Sequence, residues 1–223
     1  MNNSAVTKNA VVIAGTDTDV GKTVFAAALT AASEGSYWKP VQAGIGQTDS
    51  ETVSTLAGLP PSRILPEAYR LITPCSPHRA AEIDQVKIDT AKLNPPVSFS
   101  SNHLVIELAG GLMVPMTQDA LQIELLARWK IPVVLCARTT LGTINHTLLS
   151  VFALQACNVP LVGVAFIGDC DPGAEEAIVS FGETTHLGRL PVCTPLNATT
   201  LRQAFDANFD VAQIFAPPQG ALA

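Results

Sequence analysis

The chain has 223 residues and a net charge of −6, with 48% hydrophobic and 14% charged residues. This composition excludes a disordered chain, because there is enough apolar material for a substantial core and little charge to oppose it. The mild acidic balance, without a cluster of Lys and Arg, argues against nucleic acid as the main partner. The length suits a single α/β domain over residues 1–223, and we expect mobile ends at 1–9 and 217–223.

Short apolar runs alternate with amphipathic segments along the chain. In chain order we predict strand 10–14, helix 22–33, strand 37–41, helix 50–56, strand 103–108, helix 119–129, strand 132–137, helix 144–157, strand 161–167 and helix 172–179. The stretch 59–101 has several prolines and no clean periodicity, so we expect it to be irregular with one short helix near 79–83. Continuously apolar strands separated by helices predict a three-layer, mostly parallel central sheet with helices on both faces.

The cysteines and the amino-terminal segment indicate the cellular compartment of the protein. The 5 cysteines are scattered, with no CxxC pair and no metal-ligand spacing. An odd number in a chain of this size indicates free thiols in a reducing compartment. The polar start lacks the apolar stretch of a signal peptide, and the longest apolar runs are far below the roughly 20 residues that span a bilayer. We therefore expect a soluble, cytoplasmic protein with no membrane partner.

The segment GTDTDVGKT at 15–23 follows the first predicted strand and opens the first predicted helix. This is the context of a phosphate-binding loop, where backbone N–H groups and the helix dipole attract an anion. The strict pattern has Gly at position 16, whereas this chain has Thr16, with Gly15 one residue earlier. In such loops the lysine reaches the β- and γ-phosphates and the following hydroxyl binds Mg²⁺. The residues predicted to bind ATP here are Asp17, Thr18, Asp19, Val20, Gly21, Lys22 and Thr23.

Polar residues at the ends of two other predicted strands extend this site. Lys39 lies at the carboxyl end of the second strand, where ligands of open α/β sheets bind. Glu107 follows the apolar run HLVI, at the place where phosphate-loop proteins carry an acidic Mg²⁺ partner. The glycines after it, Gly110 and Gly111, let the backbone approach a ligand closely. Asn145 lies at a predicted helix start whose free N–H groups suit a carboxylate.

Five segments occur together in a characteristic order: GTDTDVGKT at 15–23, WKPV at 38–41, CSPH at 75–78, ELAGG at 107–111 and LGTINH at 141–146. They resemble the motifs of the dethiobiotin synthetase family, and the resemblance covers roughly residues 10–195. It implies an ATP- and Mg²⁺-dependent ligase of biotin biosynthesis. Such an enzyme carboxylates 7,8-diaminononanoate with CO₂ and closes a ureido ring through a carbamic–phosphoric anhydride, giving dethiobiotin, ADP and phosphate. The resemblance also implies a homodimer with active sites near the subunit interface.

The resemblance assigns roles to individual residues. The implied catalytic residues are Lys22, Lys39 and Thr18. The implied substrate-binding residues are Thr18, Lys39, Ala43, Gly110, Gly111, Gly142, Thr143 and Asn145. The implied metal ligands are Thr23, Glu107 and one acid from the loop after the second strand, either Glu51, which the spacing slightly favours, or Asp49. Asp169, Leu190 and Pro191 are the implied contacts of the nucleotide base.

Three positions depart from the family pattern. Leu108 replaces the usual Gly, Ala43 replaces a Ser, and Gly168 precedes Asp169 where many relatives carry an amide that can recognise adenine. These changes keep a catalytically altered paralogue that binds a related diamine as an alternative. An ATPase switch is another, although that class usually carries a second lysine early in the loop, which GTDTD lacks. An amide-forming enzyme of the cobyrinate diamide synthetase type usually has a glutaminase domain, for which this chain has no room.

Overall fold

A computed structural model describes residues 9–216, and the predicted mobile ends at 1–9 and 217–223 lie outside this range except for residue 9. The strands are β1 (Ala10–Gly15), β2 (Ser36–Trp38), β3 (Val41–Ala43), β4 (Ile64–Leu65), β5 (Tyr69–Leu71), β6 (Leu104–Gly111), β7 (Val133–Arg138), β8 (Leu161–Ile167) and β9 (His186–Leu190). The helices are α1 (Lys22–Ala32), α2 (Asp49–Ala57), α3 (Pro77–Ile83), α4 (Gln122–Trp129), α5 (Thr143–Ala156), α6 (Pro172–Gly182), α7 (Ala198–Asn208) and α8 (Val211–Phe215).

The central sheet has 7 strands in the order β4-β2-β6-β1-β7-β8-β9. Every pair in it is parallel. Alternation along β1 sends Val11 and Ile13 into a core with α1, α2, α7 and α8, while Val12 and Ala14 enter a second core with α3, α4, α5 and α6. The predicted three-layer α/β class is therefore confirmed. In the part of the chain from 9 to 216, no helix is long and apolar enough to cross a bilayer.

The predicted strand 37–41 is wrong as a single element. β2 ends at Trp38, and β3 begins at Val41 and pairs with β5 in a separate 2-stranded sheet. Pro40 causes the break, because it has no N–H to donate to a strand ladder. Its carbonyl instead accepts hydrogen bonds from Ala68 N (2.9 Å) and Tyr69 N (3.1 Å). Lys39 therefore lies at the point where the chain leaves the central sheet.

The other predicted elements begin and end within about three residues of the observed bounds. The stretch 59–101 contains the predicted short helix as α3, and also β4, β5 and two 3₁₀ turns at Pro61–Arg63 and Thr90–Lys92. The sequence analysis missed β9, α7 and α8. A signal for α7 was present, because Asn197 caps it through Thr199 N and Thr200 N and apolar Leu201 and Phe205 lie four residues apart.

The five cysteines provide a test of burial in this fold, because all of them are free thiols. Cys75 and Cys170 are exposed and should react rapidly with Ellman's reagent in the native protein. Cys136 in β7 is fully buried, and burial raises the pKa of its thiol far above the ordinary value, so it should react only after unfolding. Thiol titration with and without guanidinium chloride measures this. Native labelling of Cys136 at the rate of Cys75 would contradict the packing described above.

Candidate active site

The loop between β1 and α1 has the backbone conformation of an anion-binding loop. Asp19 and Gly21 have positive φ angles of 55° and 91°. A Cβ at position 21 would lie 2.7 Å from the side chain of Ile167, so only glycine fits the N-cap of α1. The N-cap forms no side-chain hydrogen bond, so the first N–H groups of α1 are not capped from within the helix. The loop can therefore present these N–H groups to phosphate oxygens.

Lys22, the first residue of α1, is buried beneath the loop. Its Nζ donates a 2.7 Å hydrogen bond to the carbonyl oxygen of Asp17, so the side chain curls back along the loop. Burial and the nearby positive charge of Lys39 lower the pKa of Lys22, and the carboxylates of Glu107 and Asp49 offset only part of this effect. An anion bound in the loop would supply the negative charge that this ammonium group lacks.

A second buried lysine, Lys39, follows the carboxyl end of β2 and forms ion pairs with two acids, Asp49 and Glu107. Its Nζ lies 2.5 Å from Asp49 Oδ2 and 3.3 Å from Glu107 Oε1, and it donates a 3.1 Å hydrogen bond to the carbonyl of Leu108. Burial alone would lower the pKa of Lys39, but Glu107 and Asp49 outweigh burial and raise it. Lys39 and Glu107 are only 3% and 1% exposed, so this ion pair is shielded from solvent.

Thr23 completes the polar cluster. Its hydroxyl donates to Glu107 Oε1 at 2.8 Å, and Asp49 Oδ1 lies 3.3 Å from the same hydroxyl oxygen of Thr23. Two carboxylates and one hydroxyl thus converge beside the phosphate loop. β6 continues past Glu107 to Gly111, three residues beyond the predicted strand end at 108. Regular pairing with β1 continues to Ile13↔Glu107 and shifts before Gly111, so Glu107 lies where the ladder becomes irregular.

The structure brings Asp49 into this cluster, whereas Glu51, which the spacing slightly favoured, lies outside it. Glu51 occupies the third position of α2 and forms a capping box with Thr48. Its Oε2 accepts from Thr48 N at 2.9 Å, and its Oε1 lies 3.7 Å from Arg70 at the surface. The carboxylate of Glu51 is therefore committed to the helix end and to solvent.

A cleft of about 720 Å³ connects these groups. Of the residues predicted from sequence, it is lined by Thr18, Asp19, Gly21, Lys22, Thr23, Lys39, Ala43, Asp49, Glu107 and Gly110. The loop before α5 lies elsewhere, because Gly142 and Thr143 line a smaller cavity of about 170 Å³ with Arg138. Asn145 is exposed on α5. Within one chain, the predicted substrate contacts thus fall into two separate groups.

The residues predicted to contact the nucleotide base lie at a third location, at the ends of β8 and β9. Asp169 is exposed, Leu190 is buried, and Pro191 is half-buried. Gly168 has a φ of 128° and donates its N–H to the carbonyl of Leu190 at 3.0 Å, which holds the two strand ends together. None of these residues lines the large cleft.

Leu108 causes no strain. It lies inside β6 with its side chain 2% exposed in the core, and the positive φ of this segment falls on Gly110 instead, at 61°. A Cβ on Gly110 would lie 3.0 Å from Val114 and 3.4 Å from Thr18 Oγ1, so the glycine permits a close approach of the phosphate loop. The departure at position 108 therefore leaves the glycine turn intact.

Three side chains that support the site were not found from sequence. Tyr37 donates to Glu107 Oε2 at 2.8 Å, and Arg138 pairs with Asp17 Oδ2 at 2.9 Å. Gln122 forms hydrogen bonds with the backbone of Ala109 and Gly111, which fixes the end of β6. Period-two alternation from Lys39 would have indicated Tyr37, and Arg138, like Glu107, is a charged residue following an apolar strand.

Comparison with solved structures supports the fold alone. A nucleotide-binding protein in complex with ADP from Archaeoglobus fulgidus matches with a TM-score of 0.50 and 11% identity, covering 91% of each chain. A family model described as an AAA domain matches residues 9–200.

Curated relatives identify the family. A protein of Afipia carboxidovorans is 56% identical over 206 residues, which cover 92% of this chain and 98% of the relative. A protein of Rhodopseudomonas palustris strain TIE-1 is 57% identical over 201 residues, covering 90% and 94%. A protein of Nitrobacter hamburgensis is 52% identical over 209 residues, covering 93% and 98%. Each is named ATP-dependent dethiobiotin synthetase. The chain described here belongs to the ATP-dependent dethiobiotin synthetase family.

Proposed function

We propose that this protein is an ATP-dependent dethiobiotin synthetase that carboxylates 7,8-diaminononanoate and closes its ureido ring. The observation that carries the proposal is the second buried lysine, since Lys39 faces the same cleft as Lys22. ATPase switches carry their second lysine early in the phosphate loop, whereas Lys39 follows β2 and adds positive charge where an anionic acceptor would approach the γ-phosphate. Relatives at 52% to 57% identity support this function and do not favour an ATPase switch or an altered paralogue.

The reaction has three steps. One amine attacks CO₂ and loses a proton, giving a carbamate. A carbamate oxygen then attacks the γ-phosphorus, the bond to the bridging oxygen of ADP breaks, and a carbamic–phosphoric anhydride forms. The second amine attacks the carbonyl carbon, the C–O bond to phosphate breaks, and the ring closes.

Residues of the cleft have different roles in these three reaction steps. Lys22 and the N–H groups at the start of α1 hold the phosphates, and Lys39 balances the charge of the carbamate as it approaches. Thr18 contacts the diamine or its carbamate from the loop, opposite the backbone of Gly110. These roles are supported by the shared cleft of about 720 Å³.

The oxygen atoms of Thr23, Asp49 and Glu107 fit Mg²⁺, which prefers carboxylates, hydroxyls, waters and phosphate oxygens. Among residues 9–216, no group of three or more His, Cys, Asp or Glu side chains has the geometry to hold a metal ion. We therefore propose that Mg²⁺ arrives with ATP, since the phosphate oxygens must complete its coordination. When bound, it neutralises charge that develops on the transferring phosphoryl group.

We further propose a homodimer in which α5 lies at the subunit interface. Leu149 and Phe152 on α5 are 61% and 48% exposed, and Met113 beside them is 59% exposed. Contiguous exposed apolar side chains of this kind are typical of protein interfaces. In such a dimer the loop that ends at Gly142 would serve the partner's site, which accounts for its separation from the cleft of its own chain. Asp169, Leu190 and Pro191 would contact the nucleotide base.

Phosphate release tests the function directly. Purified protein with ATP, Mg²⁺ and bicarbonate should release phosphate only when 7,8-diaminononanoate is present, with a matching amount of dethiobiotin detected by mass spectrometry. Lys39→Ala should lower kcat by about 100-fold or more, because one charge that stabilises the transition state is lost, while ATP binding persists through the loop. Phosphate release that ignores the diamine would instead indicate an ATPase switch.

The proposed role of Asp49 as the second acidic ligand of Mg²⁺, beside Glu107, is tested by a matched pair of variants. Asp49→Asn should lower kcat by about 100-fold, since it removes a charged oxygen from the metal and from Lys39. Glu51→Gln should retain nearly full activity, because Gln also forms a capping box. Steady-state kinetics at varied Mg²⁺ separates the two. Equal losses in both variants, or a larger loss in Glu51→Gln, would contradict this assignment.

The dimer is tested by sedimentation equilibrium. Phe152→Glu should shift the protein from dimer to monomer and abolish most turnover, because a charge on the apolar patch is costly to bury at an interface. Val97→Glu, at an apolar residue that is 77% exposed and lies between α3 and β6 rather than on α5, is the control and should remain dimeric. An active monomer would refute the shared-site arrangement.

A further inference from the structure

Tyr37 and Lys39 approach Glu107 from two sides. Both belong to the segment that forms and leaves β2, and being two residues apart they face the same side of the sheet. β2 pairs with β6 in the register Tyr37↔Val105. Glu107 is two residues beyond Val105 in β6, so its side chain lies on the same face of the sheet as that of Tyr37. The phenol is completely buried, in the core that includes Val105 and α1.

The two carboxylate oxygens of Glu107 have different partners. Oε1 lies 2.8 Å from Thr23 Oγ1 and 3.3 Å from Lys39 Nζ. Oε2 accepts a 2.8 Å hydrogen bond from the hydroxyl of Tyr37. Because the side chain of Glu107 is 1% exposed, water cannot take the place of that hydroxyl without a rearrangement.

We propose that Tyr37 is a positioning residue for Glu107. Its hydroxyl holds Oε2 on the core side, so that Oε1 is presented to Thr23, Lys39 and the metal ion that accompanies the nucleotide. The role of the metal rests on the function proposed above, whereas the hydrogen bond itself belongs to the protein alone.

The chemistry of a phenol suits this role. A neutral donor satisfies the buried oxygen without cancelling the negative charge that a metal ion needs, whereas a lysine or arginine in its place would compete with the metal. Without the hydroxyl, Oε2 would be a buried acceptor with no partner, and rotation of Glu107 towards Lys39 would recover part of the lost energy. That rotation would draw the carboxylate away from Thr23.

The test compares Tyr37→Phe with the control Tyr69→Phe. Tyr69 also uses its hydroxyl in a hydrogen bond, accepting from Asp89 N at 2.9 Å, but it lies in β5 and does not line the cleft. Mn²⁺ serves as the probe, and its binding in the presence of ADP is measured by electron paramagnetic resonance, without turnover. We expect Tyr37→Phe to weaken Mn²⁺ binding by about 10-fold, the size expected for a hydrogen bond to a charged group, and Tyr69→Phe to leave it unchanged.

Two further measurements separate positioning from general destabilisation. Metal-free binding of ADP should be nearly the same in Tyr37→Phe and Tyr69→Phe, and the melting temperature of Tyr37→Phe should fall by only a few degrees, as one lost buried hydrogen bond predicts. In the background Glu107→Gln, the effect of Tyr37→Phe on Mn²⁺ binding should largely disappear, because the group that Tyr37 positions has lost its charge.

Unchanged Mn²⁺ binding in Tyr37→Phe would overturn the proposal, and so would an equal loss in the Glu107→Gln background. These outcomes are independent of the diamine. A wild-type protein that fails to form dethiobiotin, but whose Mn²⁺ binding depends on Tyr37, would refute the proposed function and leave this inference intact.

Discussion

The site depends on burying two lysines and the carboxylate of Glu107 at one edge of a parallel sheet, with the half-buried carboxylate of Asp49 beside them. A buried charge is costly unless an opposite charge and hydrogen bonds compensate it, and here each group supplies that compensation for another. Glu107 and Asp49 together raise the pKa of Lys39 against the effect of burial, whereas Lys22, which lies beside Lys39, has its pKa lowered by burial and by that neighbour. The cluster is therefore balanced around Lys39, and an incoming anion would supply the negative charge that compensates Lys22.

The order of strands in the sheet makes this balance possible. β6 lies between β2 and β1, so Glu107 is placed between Lys39 from one neighbour and the phosphate loop from the other. β2 ends at Trp38, Lys39 follows it, and Pro40 prevents the strand from continuing. The chain then returns to the site with Asp49 at the start of α2. Because these groups are held before any ligand binds, little reorganisation is needed when charge develops on the phosphoryl group. The same interdependence means that substitutions within the cluster should have non-additive effects.

Much of this arrangement could be predicted from the sequence, because its main signals are local. Continuously apolar strands predicted the parallel sheet, and the segment 15–23 predicted the loop between β1 and α1 together with Lys22 and Thr23, which line the cleft. Lys39 and Glu107 were placed at the site because parallel strands bring their carboxyl ends to one edge.

The remaining features depend on contacts that spacing does not encode. Asp49 and Glu51 are both plausible from sequence, and only the capping box with Thr48 shows which one is turned away. The position of Tyr37 two residues before Lys39 is visible in the sequence, but the hydrogen bond from its hydroxyl to Glu107 depends on the pairing of β2 with β6. β9, with the sequence HLGRL, was missed because a Gly and an Arg interrupt the apolar pattern expected of a buried strand.

In the proposed mechanism, the cleft directs the γ-phosphoryl group to a carbamate oxygen rather than to water. Transfer of ¹⁸O from labelled bicarbonate, followed by mass spectrometry of the released phosphate over short reaction times, tests it directly. If the carbamate attacks phosphorus, the oxygen that bridged carbon and phosphorus remains on phosphate when the ring closes, so each turnover delivers one ¹⁸O to phosphate. Unlabelled phosphate, formed while labelled bicarbonate is still present, would mean that water is the attacking group and would contradict the account.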